Sequence, residues 1–179
     1  FKTKTMLIIS LKIIVSINAN GLNVPEKRSH AMRDFRSQKA SVVLIQETPF
    51  QEGKAPTLTN SYYPLGFYSN NTEAKTKGTA ILFHRCVPFQ LLDSVTDTGG
   101  RFVFVKGRIL DQVYTFANCY APNRAQHRFL SATLQDFAEG LVVGTLFLCG
   151  DFNCTPDPDV DTQSSQPSSK TRSPPPPSL

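Results

Sequence analysis

Asn18, Glu47, Tyr120, Asp151 and Asn153 are the side chains of this sequence whose types and placement suit chemistry at a metal or a phosphate. They fall in four patches: Asn18-Ala19-Asn20-Gly21-Leu22-Asn23, Ile45-Gln46-Glu47-Thr48, Asn118-Cys119-Tyr120-Ala121-Pro122-Asn123 and Gly150-Asp151-Phe152-Asn153. Each patch ends an apolar run, and a strand end is a rigid platform on which oxygen-bearing side chains can converge. A carboxylate behind apolar residues, as Glu47 is, costs free energy unless it is solvated or paired with a cation. A hard cation such as Mg²⁺ asks for one or two carboxylates and fills its other positions with water or phosphate. Asp151 is the second candidate carboxylate, and Gly150 lets the chain turn sharply just before it. Asn18 and Asn153 offer amides that orient a phosphate or a water without adding negative charge, and Tyr120 offers a hydroxyl donor.

Taken singly, each residue has a plainer reading. Asn20-Gly21 suits a turn, Glu47 a cap, Asp151 a turn, and Tyr120 a core aromatic with a wet tip. The four patches in this order, each at an element end, argue against four independent accidents.

The elements that must position these residues follow from apolar periodicity. Ile8 to Ile17 is rich in Ile, Val and Leu and reads as a central buried strand. Read as a targeting or membrane segment, Met6 to Ile17 is interrupted by Lys12 and falls short of the ~20 apolar residues a spanning helix needs. Pro25 opens a helix with Val24, Ala31 and Phe35 on one face and Lys27, Arg28, Arg33 and Arg36 on others. Ser41 to Glu47 is a second buried strand, parallel to the first through a βαβ crossover. Tyr62 to Tyr68, Gly78 to His84, Val87 to Val95, Arg101 to Ile109 and Val113 to Cys119 read as further strands, the last three joined by hairpin links. Apolar residues at helical spacing predict a second helix over Gln126 to Glu139. Thr145 to Cys149 is another strand, leading into Gly-Asp-Phe-Asn.

The length of 179 residues suits one domain and a tail. With 40% apolar and 18% charged residues the chain can bury a core. The net charge of +5 favours a polyanionic partner such as nucleic acid, and equally fits an ordinary basic surface. Of Cys86, Cys119, Cys149 and Cys154, three lie in or beside apolar runs and read as reduced core residues, and no Cys-x-x-Cys pair occurs. Cys149 and Cys154 flank Gly-Asp-Phe-Asn but lack the His or Cys partners of a soft-metal site. Residues 155–179 are rich in Ser and Pro and read as a disordered tail. Pro174 to Pro177 suits polyproline II, with no flanking pattern to mark an adaptor ligand. A chain opening on Phe1 reads as a fragment or an odd gene model.

Asn-x-Asn-Gly-Leu-Asn, Ile-Gln-Glu-Thr, Tyr-Ala-Pro-Asn and Gly-Asp-Phe-Asn are successive signatures of a known family. From about Ile8 to Cys154 the chain resembles the endonuclease/exonuclease/phosphatase superfamily, most closely the apurinic-endonuclease-like domain of non-LTR (LINE-type) retrotransposons. The resemblance implies a DNase I-like four-layer αββα sandwich. It implies Mg²⁺-dependent phosphodiester hydrolysis, with Mn²⁺ as a substitute, and nicking of target DNA beside a reverse transcriptase region of a longer polyprotein. It implies a location in the nucleus or cytoplasm, with no membrane partner. By position, Glu47 would be the metal ligand and Asn18 would sit beside metal and scissile phosphate. Tyr120 would position the phosphate, Asp151 would orient or activate the attacking water, and Asn153 would hold that water or a phosphate oxygen. Lys75, Lys77 and Arg124 are candidate contacts to the DNA backbone and equally fit solvated loop charges.

Departures from the family pattern set further expectations. Nothing after Asn153 matches the family's late Asp or its Ser-Asp-His signature, and His30, His84 and His127 stand in other contexts. Pro49 occupies a position where the retrotransposon enzymes usually carry His. The chain therefore reads as residues 1–7 of N-terminal extension, a partial domain over 8–154 lacking part of its second half, and the tail. The expected function is a DNA-nicking endonuclease impaired by truncation. The alternatives are a non-catalytic DNA-binding remnant and a phosphatase of the same superfamily.

Overall fold

A computed structural model describes residues 11, 13–138, 140 and 142–154. The predicted extension at 1–7, the tail at 155–179 and the first residues of the predicted Ile8–Ile17 strand lie outside them. Two four-stranded sheets form the inner layers. The first sheet has strands β1 (Ile14–Asn18), β2 (Val42–Gln46), β3 (Leu65–Ser69) and β4 (Thr79–Phe83) in the order β1-β2-β4-β3. The second has β5 (Phe89–Thr96), β6 (Phe102–Ile109), β7 (Gln112–Tyr120) and β8 (Thr145–Asp151) in chain order. Helix α1 (Pro25–Ser37) connects β1 to its parallel neighbour β2, and α2 (Gln126–Ala138) connects β7 to its parallel neighbour β8. Two βαβ units thus deliver four strand C-termini to one end of the sandwich.

The central strands β2 and β4 are buried throughout and apolar but for Gln46 and Thr79 at the rim, because both of their faces are covered. Val43, Ile45, Ala80 and Leu82 face α1 and pack with Phe35, Phe50, Leu58 and Tyr63. Val42, Leu44, Ile81 and Phe83 face the second sheet and pack with Val103, Val105 and Phe116. Phe83 stacks on Phe89 with ring centroids 4.0 Å apart and meets Phe116 edge-on. Burying each such side chain contributes about 1.5–3 kcal/mol. On the outer face of the second sheet Phe104, Ala117 and Cys119 form a third, smaller core.

The predicted elements are present, with shifted ends and three differences of substance. The first strand is an edge strand rather than a central one: among the described residues β1 pairs only with β2, and Ile17 is 41% exposed. Apolar composition reports a strand, but its place in the sheet depends on what lies beside it. Val24, expected on the buried face of the first helix, precedes Pro25 at the N-cap and stands exposed. Of the cysteines only Cys119 is buried; Cys149 is half-buried, Cys86 and Cys154 are exposed, and all four are free thiols. At the other edge, β5 carries a bulge between Leu91 and Asp93, which disrupts the ladder a second chain would need.

Candidate active site

The shared end of the sandwich gathers the residues singled out in the sequence. Asn18 closes β1 opposite Gln46 of β2, and the chain beyond stays sewn to that strand. Ala19 N–H donates to the Gln46 carbonyl and Gly21 N–H to the Glu47 carbonyl, both at 2.9 Å. Glu47 itself leaves the strand with φ 56°, a left-handed conformation unusual for Glu. Strain of this kind is held in place by surrounding structure and clusters at functional sites.

From the second sheet, Tyr120 and Asp151 end β7 and β8 in direct register. Gly150 has φ 152° and its α-carbon faces the Cys119 carbonyl so closely that a Cβ would collide with it. This is the physical reason for the glycine in Gly-Asp-Phe-Asn. Asp151 Oδ1 accepts from Asn153 N–H at 3.0 Å, and Asn153 Nδ2 donates to the Ala121 carbonyl at 2.8 Å. Gln126, at the start of α2, donates to the Asn153 carbonyl at 2.7 Å.

Several polar contacts cross between the sheets at this end. Asn18 Nδ2 donates to Asp151 Oδ2 at 2.7 Å, with 133 residues between them, while Asn18 Oδ1 accepts from Asn20 N–H at 2.9 Å. The Tyr120 hydroxyl lies beside the Glu47 carboxylate. Burial, the Glu47 carboxylate and the negative charge of Asp151 push the phenol up to about 12, against the opposing pull of Arg101. Tyr120 is therefore a proton donor throughout the neutral range. Arg101 Nη1 donates to the Tyr120 carbonyl at 3.1 Å, Tyr120 N–H donates to the Arg101 carbonyl at 2.7 Å, and the guanidinium stands 5.6 Å from the Tyr120 ring centroid.

An open cleft of about 510 Å³ lies between the sheet ends, with Ser16, Asn18 and Gln46 on one side and Asp151, Phe152 and Asn153 on the other. Glu47 and Tyr120 meet beside this cleft rather than in its lining. The donor set is oxygen: two carboxylates, two amides and a phenol. Among the described residues no three His, Cys, Asp or Glu side chains group closely enough to enclose an ion by themselves. That combination fits Mg²⁺, which keeps several waters and takes one or two carboxylates, better than a soft or caged metal.

The five candidates Asn18, Glu47, Tyr120, Asp151 and Asn153 thus stand together. Lys75, Lys77 and Arg124 do not join them. Lys75 is exposed on the loop before β4, Lys77 is half-buried there with φ 62°, and Arg124 is exposed between β7 and α2. Both segments border the site: Gly78, next to Lys77, accepts from Thr48 N–H, and Gln126 anchors the other to Asn153. Arg101, Gln46 and Asn118 carry structural roles at the site that the sequence reading did not assign. Their signal was a polar residue in the last turn of an apolar strand, or a lone cation opening one.

The family model for the Endonuclease/Exonuclease/phosphatase family matches residues 15–177. The chain belongs to this family. Its fold is shared with a humanized TDP2 of D. rerio carrying 14 mutations, at TM-score 0.61 and 18% identity over 82% of this chain and 69% of that one. An AP endonuclease from Archaeoglobus fulgidus matches at TM-score 0.58 and 16% identity, over 81% of this chain and 58% of that one. The endonuclease domain of TRAS1, a telomere-specific non-LTR retrotransposon, matches at TM-score 0.58 and 17% identity, over 79% and 61%. The chain spans between 58% and 69% of the length of these three structures. The DNase I-like sandwich read from the sequence is the architecture observed.

Proposed function

We propose that the chain carries the phosphodiester-hydrolysing site of a retrotransposon-type, DNA-nicking endonuclease. The observation that carries this reading is the cross-sheet bond from Asn18 to Asp151, with the Tyr120 hydroxyl beside the Glu47 carboxylate, which brings all four sequence patches to one rim. Family membership and a fold shared with nucleases support it.

In this reading Glu47, with Asp151 near it, would hold Mg²⁺, which when bound would offset charge on the phosphoryl group. Asp151 is oriented by Asn18 on one oxygen and by the Asn153 N–H on the other, so its remaining lone pairs can take the proton of an attacking water. The Tyr120 phenol donates to a non-bridging oxygen as negative charge develops there. Water adds to phosphorus as Asp151 takes its proton, the bond to the sugar oxygen breaks, and that oxygen takes a proton from solvent. Lys75, Lys77 and Arg124 flank the rim where a DNA backbone would run. The proposed setting is a polyprotein with a reverse transcriptase region, acting where chromosomal DNA is accessible. Among the described residues no helix is long and apolar enough to cross a membrane.

We expect turnover to be weak. No described hydrogen bond or ring contact brings His30, His84 or His127 to the five site residues, and a positioned acid–base group is worth about 10²–10⁴-fold.

Purified chain incubated with supercoiled plasmid and Mg²⁺ tests the reading, beside EDTA and Glu47→Ala controls. Nicking abolished by both controls is the expected result. Binding without nicking by folded chain would favour a non-catalytic DNA-binding remnant. A preference for a soluble phosphomonoester would favour a phosphatase.

A further inference from the structure

The opposite end of the first sheet carries an arrangement the proposed site does not use. Arg36, in the last turn of α1, places its guanidinium carbon 4.0 Å from the centroid of the Tyr62 ring. Arg85, two residues past β4, places its own 5.0 Å from the same centroid. The two distances keep these carbons within about 9 Å of each other, comparable to the ~8 Å screening length at physiological salt. Both arginines are exposed, and among the described residues neither pairs with an acid. Among the described residues the sole ion pair is Lys106 with Asp93, on the other sheet. Asp34, the acid nearest along α1, lines a groove with Val15 and Gln38 instead.

The ring between them is fixed. Tyr62 packs on the first core, its N–H donates to Asn60 Oδ1 at 2.8 Å, and its carbonyl accepts from Arg85 N–H at 2.8 Å. Beside it, burial and the Arg85 charge hold His84 below its usual range, so His84 adds no third positive charge. The helix dipole offers a bland reason for Arg36, since cations favour helix C-termini. It offers none for Arg85, which arrives from a loop after β4. Two like charges held on one aromatic ring, with no counter-ion among the described residues, make a preformed site for an anion. Their N–H edges suit phosphate oxygens and their planes suit an unstacked base.

We infer that Arg36, Arg85 and Tyr62 form a second nucleic-acid contact, binding the phosphates of a single strand. It is separate from the proposed catalytic rim. β4 runs from Thr79, opposite Gln46 at the rim, to Phe83 beside this patch, and five residues of strand span roughly 17 Å. A strand gripped here is therefore held apart from the phosphate at Asp151.

Fluorescence anisotropy with an oligothymidylate of 25 nucleotides, in EDTA over a range of salt, tests this independently of any cleavage. Losing two phosphate contacts should make the dependence of log K on log salt shallower by about 1.4 in Arg36→Gln/Arg85→Gln. Arg36→Lys/Arg85→Lys should keep the wild-type slope. On wild-type chain alone, the Tyr62 ring resonances should shift as the oligonucleotide is added. An unchanged slope in the Gln pair, or Tyr62 resonances that do not move, overturns the inference. Displacement of the oligonucleotide by polyglutamate as readily as by unlabelled oligonucleotide overturns it in favour of an acidic protein partner.

Discussion

Gln46 Nε2 donates to Asn118 Oδ1 at 2.5 Å, joining the first sheet to the second where their shared apolar layer gives way to the site. Asn118 spends both amide protons on the carbonyls of Ile45 and Ala80, each at 2.9 Å, and Gln46 also reaches Ser16 Oγ at 3.2 Å. Both side chains are almost wholly buried. One residue further along each strand, or two, stand Glu47 and Tyr120. The pair therefore sets how the two halves of the site face each other. Asn118→Ala would strand two carbonyls and an amide, and a buried polar group left unpaired costs about 1–3 kcal/mol. We expect a loss of roughly 3 kcal/mol in urea unfolding. Asn118→Asp, equal in size, should cost at least as much because it aims a carboxylate at two carbonyls. Wild-type stability in the Asp variant would show that the site needs only volume.

Sequence periodicity was enough for the strands, both helices and the first parallel βαβ unit, because β2 and β4 are covered on both faces and must be largely apolar; the parallel pairing of β7 with β8 across α2 came from the structure. The five site residues were legible for a related reason: a polar side chain after an apolar run stands out locally. The Gln46–Asn118 pair did not stand out. Its function exists only once residues 72 apart in sequence share the space between two sheets. The same holds for Arg36 and Arg85, brought to one ring from a helix end and a loop. β1 was read as central and stands at the edge among the described residues, because composition cannot say whether a neighbour lies beyond it.

Asn18 and Asp151 make a separable test of the proposed chemistry. Asp151→Asn keeps the size and one of the two hydrogen bonds but removes the base, so nicking should fall by about 10²–10⁴-fold with only a small loss of thermal stability. Asn18→Ala leaves the carboxylate in place but frees its orientation, so a smaller loss is expected. Plasmid nicking under single-turnover conditions ranks the two. A larger defect in Asn18→Ala than in Asp151→Asn would remove Asp151 from the role of base.

Glu47 can be tested without activity. Glu47→Gln preserves the volume and an acceptor for the Tyr120 hydroxyl but lowers the charge available to a hard cation. Mn²⁺ titration followed by electron paramagnetic resonance should show affinity reduced by at least about 10-fold, the scale on which metal sites respond to lost partners. Equal Mn²⁺ affinity in wild type and variant would place the cation elsewhere.

Alkaline pH probes the packing around the same residues. Burial pushes Tyr63, whose hydroxyl donates to the Ala40 carbonyl at 3.1 Å, from 10.0 up to about 12. Tyr120 rises equally, and burial carries the Cys119 thiol from 9.0 to about 12. Each group holds its proton more tightly folded than unfolded. Their stabilisation is thus complete below pH 9 and declines as pH rises towards 12, where the folded protein also loses those protons. Urea midpoints measured at pH 8, 9.5 and 11 should fall in that order. In Tyr120→Phe the fall between pH 9.5 and 11 should be shallower, since one titrating group is gone. A midpoint that holds steady to pH 11 in the wild type would mean these side chains are far better solvated than their packing indicates.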